Sequence, residues 1–400
     1  MKRLIVALAL LLSLSVTSPA AAADCSLAGL ARDPRLASFS GYVAGAHGAL
    51  WSRHGSSPRS TGSVLKLLTA SAALKVLGAD YRMTTRVVAG TKAGTVVLVG
   101  GGDPTISRVS NGYYPAAARL STLAAKVKKA LHGKKVTKIV VDASLWSQKD
   151  SWDTTWKRSE QRIGYLSETS ALQVDGDRAN PRAAVSPRST NPARHAGRYL
   201  AKALGVPRVK IVTGTAPAGA RSLGAVKSPK LSSLVRFMLL TSDGTLAESI
   251  ARVTSLHAGG DGSATSLATV IPAALKYTGL DTSKLRIRDG SGLSTRNGVS
   301  AAFVSTLLAR LPASVTSGLS VAGRTGSLAS RFTSSPARGH IRAKTGWLDT
   351  EYSLAGIVHA RDGSTERFAF YAIGAHVKPS AKVALDALAT RVYVCGGRTH

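Results

Sequence analysis

Ser63 precedes Lys66 by three positions in the stretch Ser60-Thr-Gly-Ser-Val-Leu-Lys66-Leu-Leu-Thr-Ala. Ser242-Asp243-Gly244 follows far downstream, and Lys344-Thr345-Gly346 later still. Together these strings suit acyl transfer. A serine hydroxyl is a poor nucleophile until a base takes its proton. Lys66 can be that base only if its pKa falls well below the free value, which burial and a nearby second cation, Lys344, would both favour. Ser242 offers a hydroxyl that relays a proton to a departing amine. Lys344 and Thr345 supply positive charge and a donor for an anionic substrate end. Backbone N–H groups at Ser63 and just after Gly346 are placed to stabilise a tetrahedral oxyanion. Either short string alone is weak, because a helix start with a solvated lysine or a strand ending in a glycine turn would look the same. Their conjunction, in this order, carries the reading.

Such residues need elements to hold them. The pattern from Ser63 to Leu77 is helical, with Leu65, Leu68, Ala72 and Val76 at core spacing and Gly78 as a stop. Positions three apart share a helix face, so Ser63 and Lys66 sit side by side in the first turn, where the helix dipole favours an anion. Phe39 to Ala44 and Gly48 to His54 read as strands before it. Tyr81 to about Val235 has a different texture, with strands at Thr84–Ala89, Thr95–Val99 and Lys138–Val141 and helices at Ala116–Leu131 and Arg194–Leu204. Arg178 to Pro192 is polar and proline-bearing, and is expected to be a long surface loop. Gly100-Gly101-Gly102 lacks the Gly-Lys-Ser/Thr ending of a phosphate loop and reads as a turn. Helices return at Leu231–Leu240, Thr245–Ser255 and Thr265–Thr278, and Asp289 to Ser294 is a tight loop. Ile341–Gly346, Ser353–Ala360 and Arg367–His376 alternate like antiparallel strands, and Ala381–Tyr393 closes the chain as a helix.

Met1-Lys2-Arg3, an apolar run from Leu4 to Val16 and an alanine tract ending at Ala23 have the form of a secretory leader, too short in its apolar part to span a bilayer. The expected mature protein is therefore exported, wall-associated and without a transmembrane anchor. Outside the cytoplasm thiols pair, so the two cysteines, Cys25 and Cys395, are expected to form a disulfide. Two cysteines and nine scattered histidines show no metal-ligand spacing, and no cofactor is implied. The net charge of +32 attracts polyanions, for an exported protein the anionic polymers of a cell wall and anionic lipid surfaces. Nucleic acid is disfavoured, since no recognition motif accompanies the charge.

On these motifs the chain resembles the secreted D-alanyl-D-alanine carboxypeptidases/endopeptidases of the class C low-molecular-mass penicillin-binding proteins. The resemblance extends to Leu98–Thr105, Ser170-Ala171-Leu172, Val174-Asp175-Gly176, Asp289–Asn297 and Ala343–Gly356, and spans Phe39 to about Tyr393. It implies an α/β (α+β) fold: a serine β-lactamase/transpeptidase-like domain, its antiparallel sheet flanked by helices, from residues 24–80 and 236–400. A smaller domain, residues 81–235, is inserted between its two parts, and a leader at 1–23 precedes them. The implied substrates are peptidoglycan stem peptides, with β-lactams acylating Ser63.

Two positions depart from the family pattern. Gly244 stands where an Asn is usual, and Trp347 where Thr or Ser follows Lys-Thr-Gly. The first loses an amide, at of order 1–3 kcal/mol for a lost polar partner. The second keeps the backbone N–H but not the hydroxyl, and can add an apolar wall. These departures motivate a rival reading, a catalytically impaired wall-binding homologue. A serine β-lactamase or esterase on the same scaffold is a further alternative.

Overall fold

The computed structural model describes residues 24–400; the expected leader at 1–23 lies outside the described residues. The chain opens with a hairpin, β1 (Ser38–Gly45) and β2 (Gly48–Arg53), followed by α1 (Lys66–Leu77). Next come β3 (Thr84–Ala89), β4 (Thr95–Val99), α2 (Leu120–Leu131), β5 (Lys138–Asp142), the short α3 (Arg158–Ile163), α4 (Pro192–Leu204), β6 (Lys210–Thr213) and β7 (Ser222–Lys227). Helices α5 (Leu231–Thr241), α6 (Gly244–His257), α7 (Ala264–Leu275), α8 (Ala301–Leu308) and α9 (Ala313–Thr316) come after β7. The carboxy-terminal part is β8 (Ser320–Val321), β9 (Ile341–Leu348), β10 (Glu351–His359), β11 (Thr365–Ile373) and α10 (Ala381–Cys395).

Two sheets result. The first is antiparallel with strand order β2-β1-β11-β10-β9-β8. Its strands alternate, so each face buries its own core. Ala355, Ala369 and Tyr371 pack against Leu67, Leu68, Val235, Leu246 and Val304 of the helical layer. Leu354, Phe368 and Phe370 pack on the opposite face against Leu385, Leu388 and Val392 of α10. One edge of this sheet is left partly open: β8 pairs with β9 only at Ser320↔Ala343 and Val321↔Arg342, so the stretch from Lys344 onward has no strand outside it.

The second sheet, order β6-β5-β4-β3-β7, is mixed, with β4–β5 and β5–β6 parallel. Its core joins Val87, Leu98 and Ile139 to Leu123 and Val127 of α2 and Leu200 of α4. The chain between β5 and α4 leaves this sheet and turns back to the first. Arg178 and Arg188, expected on a surface loop, are 2% and 8% exposed. Arg178 is paired there with Asp243, far away in sequence, which no local pattern announces, and Arg188 donates to the Ser186, Gly176 and Gly164 carbonyls.

Cys25 and Cys395 are joined as a disulfide. Beside it, Leu27 N–H donates to the His400 carbonyl, at 2.8 Å. Among the described residues no helix is long and apolar enough to cross a membrane.

Candidate active site

Ser63 lies in a 3-10 turn, Gly62–Leu65, and the α-helix starts at Lys66 rather than at the serine. That detail serves the chemistry. In 3-10 geometry residues three apart nearly eclipse one another, and Lys66 Nζ stands 2.7 Å from Ser63 Oγ. The amine also donates to the Ser291 carbonyl, at 2.6 Å. Ser291 belongs to the Asp289–Ser294 loop, whose backbone is held by carboxylates: Glu248 Oε1 accepts from Gly290 and Ser291 N–H, and Asp289 accepts from Gly292 and Ser294 N–H.

Lys66 is 1% exposed. Burial lowers its pKa to about 8, against the pull of the Asp289, Glu248 and Asp243 carboxylates. The second cation expected to assist is felt in the other direction. Lys344 is lowered well below the ordinary lysine value, by burial first and then by the charge of Lys66. Burial is therefore the main cause for both amines.

Ser242 follows α5 with a left-handed backbone, φ 60°. Lys344 Nζ donates to its Oγ at 2.8 Å and to the Thr345 carbonyl at 2.7 Å. Behind Ser242 lies a closed polar cluster. Asp243 caps α6 by accepting from Leu246 N–H at 2.8 Å and forms an ion pair with Arg178 at 2.9 Å, both side chains 2% exposed. Tyr114 OH lies between them, and the Arg178 guanidinium stacks over the Tyr113 ring at 3.8 Å. Burial alone would raise the Asp243 carboxyl; Arg178 and Arg188 outweigh it and hold the value low.

Backbones meet at the nucleophile. A Cβ placed on Gly346 would stand 2.4 Å from the Thr61 carbonyl and 3.0 Å from Ser63 N, and one on Gly62 would stand 2.9 Å from Trp347 N. Only glycine permits this approach. It brings the backbones that carry the Ser63 and Trp347 N–H groups, the two donors expected for an oxyanion, into contact.

Ser63, Lys66, Ser242, Gly244, Thr345, Gly346 and Trp347 line a single cleft of about 510 Å³. Lys344 stands behind it, fully buried, and reaches it through Ser242. A side chain at Gly244 would point toward Leu166 and Leu293, with no polar side chain among the nearest atoms. Other lining residues carry no signal in the sequence. Ser327 accepts from Thr345 Oγ1 at 2.8 Å. Thr155, Trp156, Lys157, Glu160 and Tyr165 come from the segment that returns from the second sheet. It is anchored by Trp156 Nε1 donating to Asp289 at 2.8 Å and by an ion pair from Lys157 to Asp349. No spacing in the sequence links these stretches; only the recurrence of Asp289–Asn297 as a recognisable segment points there.

One buried acid beneath the site has no assigned task. Glu351 of β10 is 1% exposed; neither carboxyl oxygen has a hydrogen-bond partner, and Ser60 Oγ and Tyr371 OH share that condition. Its Oε1 would lie 2.8 Å from a Cβ on Gly62. Burial pushes its pKa from 4.5 up to about 8, opposed weakly by the nearby Ser60 hydroxyl. The native state therefore keeps a proton that the unfolded chain releases, and stability falls as pH rises from 4.5 to about 8. This group's slope is limited to about 1.4 kcal/mol per unit. Urea unfolding of wild type and Glu351→Gln across that range should show a flatter profile for the variant; parallel profiles would contradict the assignment.

Comparison with known proteins places this geometry in context. The family model for D-Ala-D-Ala carboxypeptidase 3 (S13) matches residues 23–185 and 177–392. A carboxypeptidase of Mycobacterium tuberculosis is 35% identical over 406 residues, covering 96% of this chain and 86% of that protein. The carboxypeptidase DacB of Mycolicibacterium smegmatis is also 35% identical, covering 93% and 84%. Among solved structures, penicillin binding protein 4 of Haemophilus influenzae superposes with a TM-score of 0.75 at 18% identity, over 89% of this chain and 95% of that one.

Proposed function

The chain belongs to the D-Ala-D-Ala carboxypeptidase 3 (S13) family, a family of serine hydrolases, and from that premise we propose that it is an exported enzyme that trims peptidoglycan stem peptides through an acyl-enzyme on Ser63. In this reading neutral Lys66 takes the Ser63 proton as Oγ attacks the carbonyl between the two terminal D-alanines. The oxyanion forms between the N–H groups of Ser63 and Trp347. The proton passes through Ser242, to whose Oγ Lys344 Nζ donates, to the departing amine of D-alanine. Water then attacks the ester by the reverse route, and Oγ regains its proton. Gly346 permits the backbone contact on which the oxyanion site depends. Thr345 Oγ1 and Lys344 supply the donor and charge for the terminal carboxylate. β-Lactams present a strained amide to the same serine and acylate it. Endopeptidase action is the same chemistry with a larger leaving group. The cationic surface would hold the enzyme near anionic wall polymers.

The observation carrying this reading is the pair of contacts, Lys66 to Ser63 at 2.7 Å and Lys344 to Ser242 at 2.8 Å, opening on one cleft. Labelled penicillin should mark the wild type and leave Ser63→Ala unmarked, with D-alanine release lost in parallel; equal marking of both would refute it. A base with a pKa of about 8 also sets the pH dependence. The second-order rate of penicillin acylation should rise about tenfold per pH unit below that value and level off above it. A flat profile from about two pH units below that value up to it would remove Lys66 from the role of base.

A further inference from the structure

One end of the second sheet carries charge of a single sign. Thr95, Lys138 and Lys210 stand side by side in register at the starts of β4, β5 and β6. The turn before β4 holds Lys92, the connection from α2 to β5 holds Lys134 and Lys135, and the connection from α4 to β6 holds Arg208. The first two of these stretches touch, Thr137 N–H donating to the Gly94 carbonyl at 2.8 Å. Lys92, Lys134, Lys135, Arg208 and Lys210 are exposed and Lys138 is half-buried. None of the six takes part in an ion pair among the described residues. The sequence has no Asp or Glu between Asp80 and Asp103, between Asp103 and Asp142, or between Asp177 and Asp243. Asp103 and Asp142 are buried toward the other ends of β4 and β5, Asp142 accepting from the Ser144 and Ala216 N–H groups. Asp175 and Asp177 are buried beside Arg108 and His195, and Asp80 pairs with Lys230 beyond the far end of β7. That other end is the one that meets the rest of the molecule, where a Cβ on Gly102 would touch Val253 of α6. The basic end points away from it.

Like charges side by side on neighbouring strands, about 4.8 Å apart, repel one another, and no carboxylate of the chain offsets them here. A polyanion would. Lysine is a compact point charge suited to phosphate, whereas the arginine fork suits planar carboxylates, and Arg208 is the one arginine among the six. These connections hold no Phe, Tyr or Trp on which a nucleic acid base could stack. None of the exposed large apolar residues lies there to enter a lipid surface. A flexible chain of phosphate groups meets all three conditions. We propose that this end of the second sheet, formed by Lys92, Lys134, Lys135, Lys138, Arg208 and Lys210, is a docking surface for a phosphodiester-linked polymer of the wall. It is separate from the cleft, none of whose lining residues belongs to it. A docked enzyme keeps its cleft free, so the polymer concentrates it beside stem peptides without competing with them. Only the choice of a wall polymer rests on the proposed function; the docking itself needs no turnover.

Fluorescent poly(glycerol phosphate), titrated with the intact protein and followed by polarisation, tests it. Lys134→Glu, Lys135→Glu and Lys210→Glu together should weaken binding by about tenfold or more, the sum of several exposed charge pairs lost and reversed. Wild-type binding should fall steeply with salt. Lys284→Glu, Arg310→Glu and Lys378→Glu, exposed on the first domain, change the net charge equally and should weaken binding by no more than about twofold. Glutamine at the same three sheet positions should fall between, which separates lost attraction from damage by new carboxylates. Penicillin acylation should be the same in every variant. Equal losses in the two glutamate triples would make the attraction diffuse and overturn the surface. Anionic phospholipid vesicles that bind wild type more tightly than the polymer at equal phosphate, through the same lysines, would overturn the polymer as occupant. A protein that binds polymer through these residues yet releases no D-alanine would uphold the docking and remove the carboxypeptidase reading.

Discussion

Lys66→Met is expected to lower both penicillin acylation and D-alanine release by about 10³- to 10⁴-fold, with the fold kept. General-base assistance is worth roughly 10²–10⁴ in rate, and among the described residues no second base hydrogen-bonds Ser63 Oγ. Its neighbour at hydrogen-bond distance is the Lys66 amine, at 2.7 Å. Methionine keeps most of the buried stem, so the loss reads the amine rather than a cavity. Alanine would leave a void below the 3-10 turn and add a packing penalty of about 2–5 kcal/mol, as for other long buried chains cut back to alanine. The Glu248 carboxyl is raised to about 7 by burial and by the charge of Asp289, with Arg252 pulling it down. Stopped-flow acylation and circular dichroism separate the outcomes. A methionine variant that acylates within about tenfold of wild type would require another base.

The second large effect concerns a residue that touches no substrate. Arg178→Ala leaves Asp243 buried without its cation, a change that costs about 3–5 kcal/mol for a broken buried pair. A fall in Tm of roughly 4–6 °C is expected for a protein of this size. Activity should fall as well, because Asp243 follows Ser242 directly and caps α6 at the point where the chain takes φ 60°. Asp243→Asn should be milder: its amide oxygen can still cap Leu246 N–H, and no charge is left bare. Arg178→Leu combined with Asp243→Asn should recover part of the stability, since neither partner then remains charged alone. Calorimetric melting of the three proteins, with penicillin acylation rates beside it, distinguishes the cases. Equal losses in the single and double variants would mean that the pair is not coupled.

Legibility in the sequence divides along physical lines. The helix after Ser63, the strand carrying Lys344 and the hairpin before them come from periodicities and stop signals that operate over a dozen residues. The 3-10 turn at Ser63 is not legible as such, because its residues also suit an α-helical first turn. It is set by tertiary contact with the strand at Gly346 and Trp347. The Arg178–Asp243 pair is invisible for a related reason. Asp243 stands in a motif read for its neighbours, Arg178 in a stretch that reads as a polar loop, and a charge reveals its burial only when its partner is known. The sequence leads one to expect burial and Lys344 together behind the low pKa of Lys66. Three carboxylates, those of Asp289, Glu248 and Asp243, pull the other way and leave burial as the dominant cause. Trp347 stands out as a departure from the family pattern, but its neighbours in the cleft, Tyr352 across the strands and Lys382 of α10, are set by pairing and packing that no local pattern announces.

The bridge from Cys25 to Cys395 spans 370 positions and encloses both sheets and every residue of the cleft. A protease that cuts a loop of the second sheet would therefore open a ring rather than divide a molecule. The nicked enzyme would migrate as one band until a reductant is added, and its two fragments would stay tethered with Ser63 on one and Lys344 on the other. Wear on outlying loops would then leave the two catalytic halves joined.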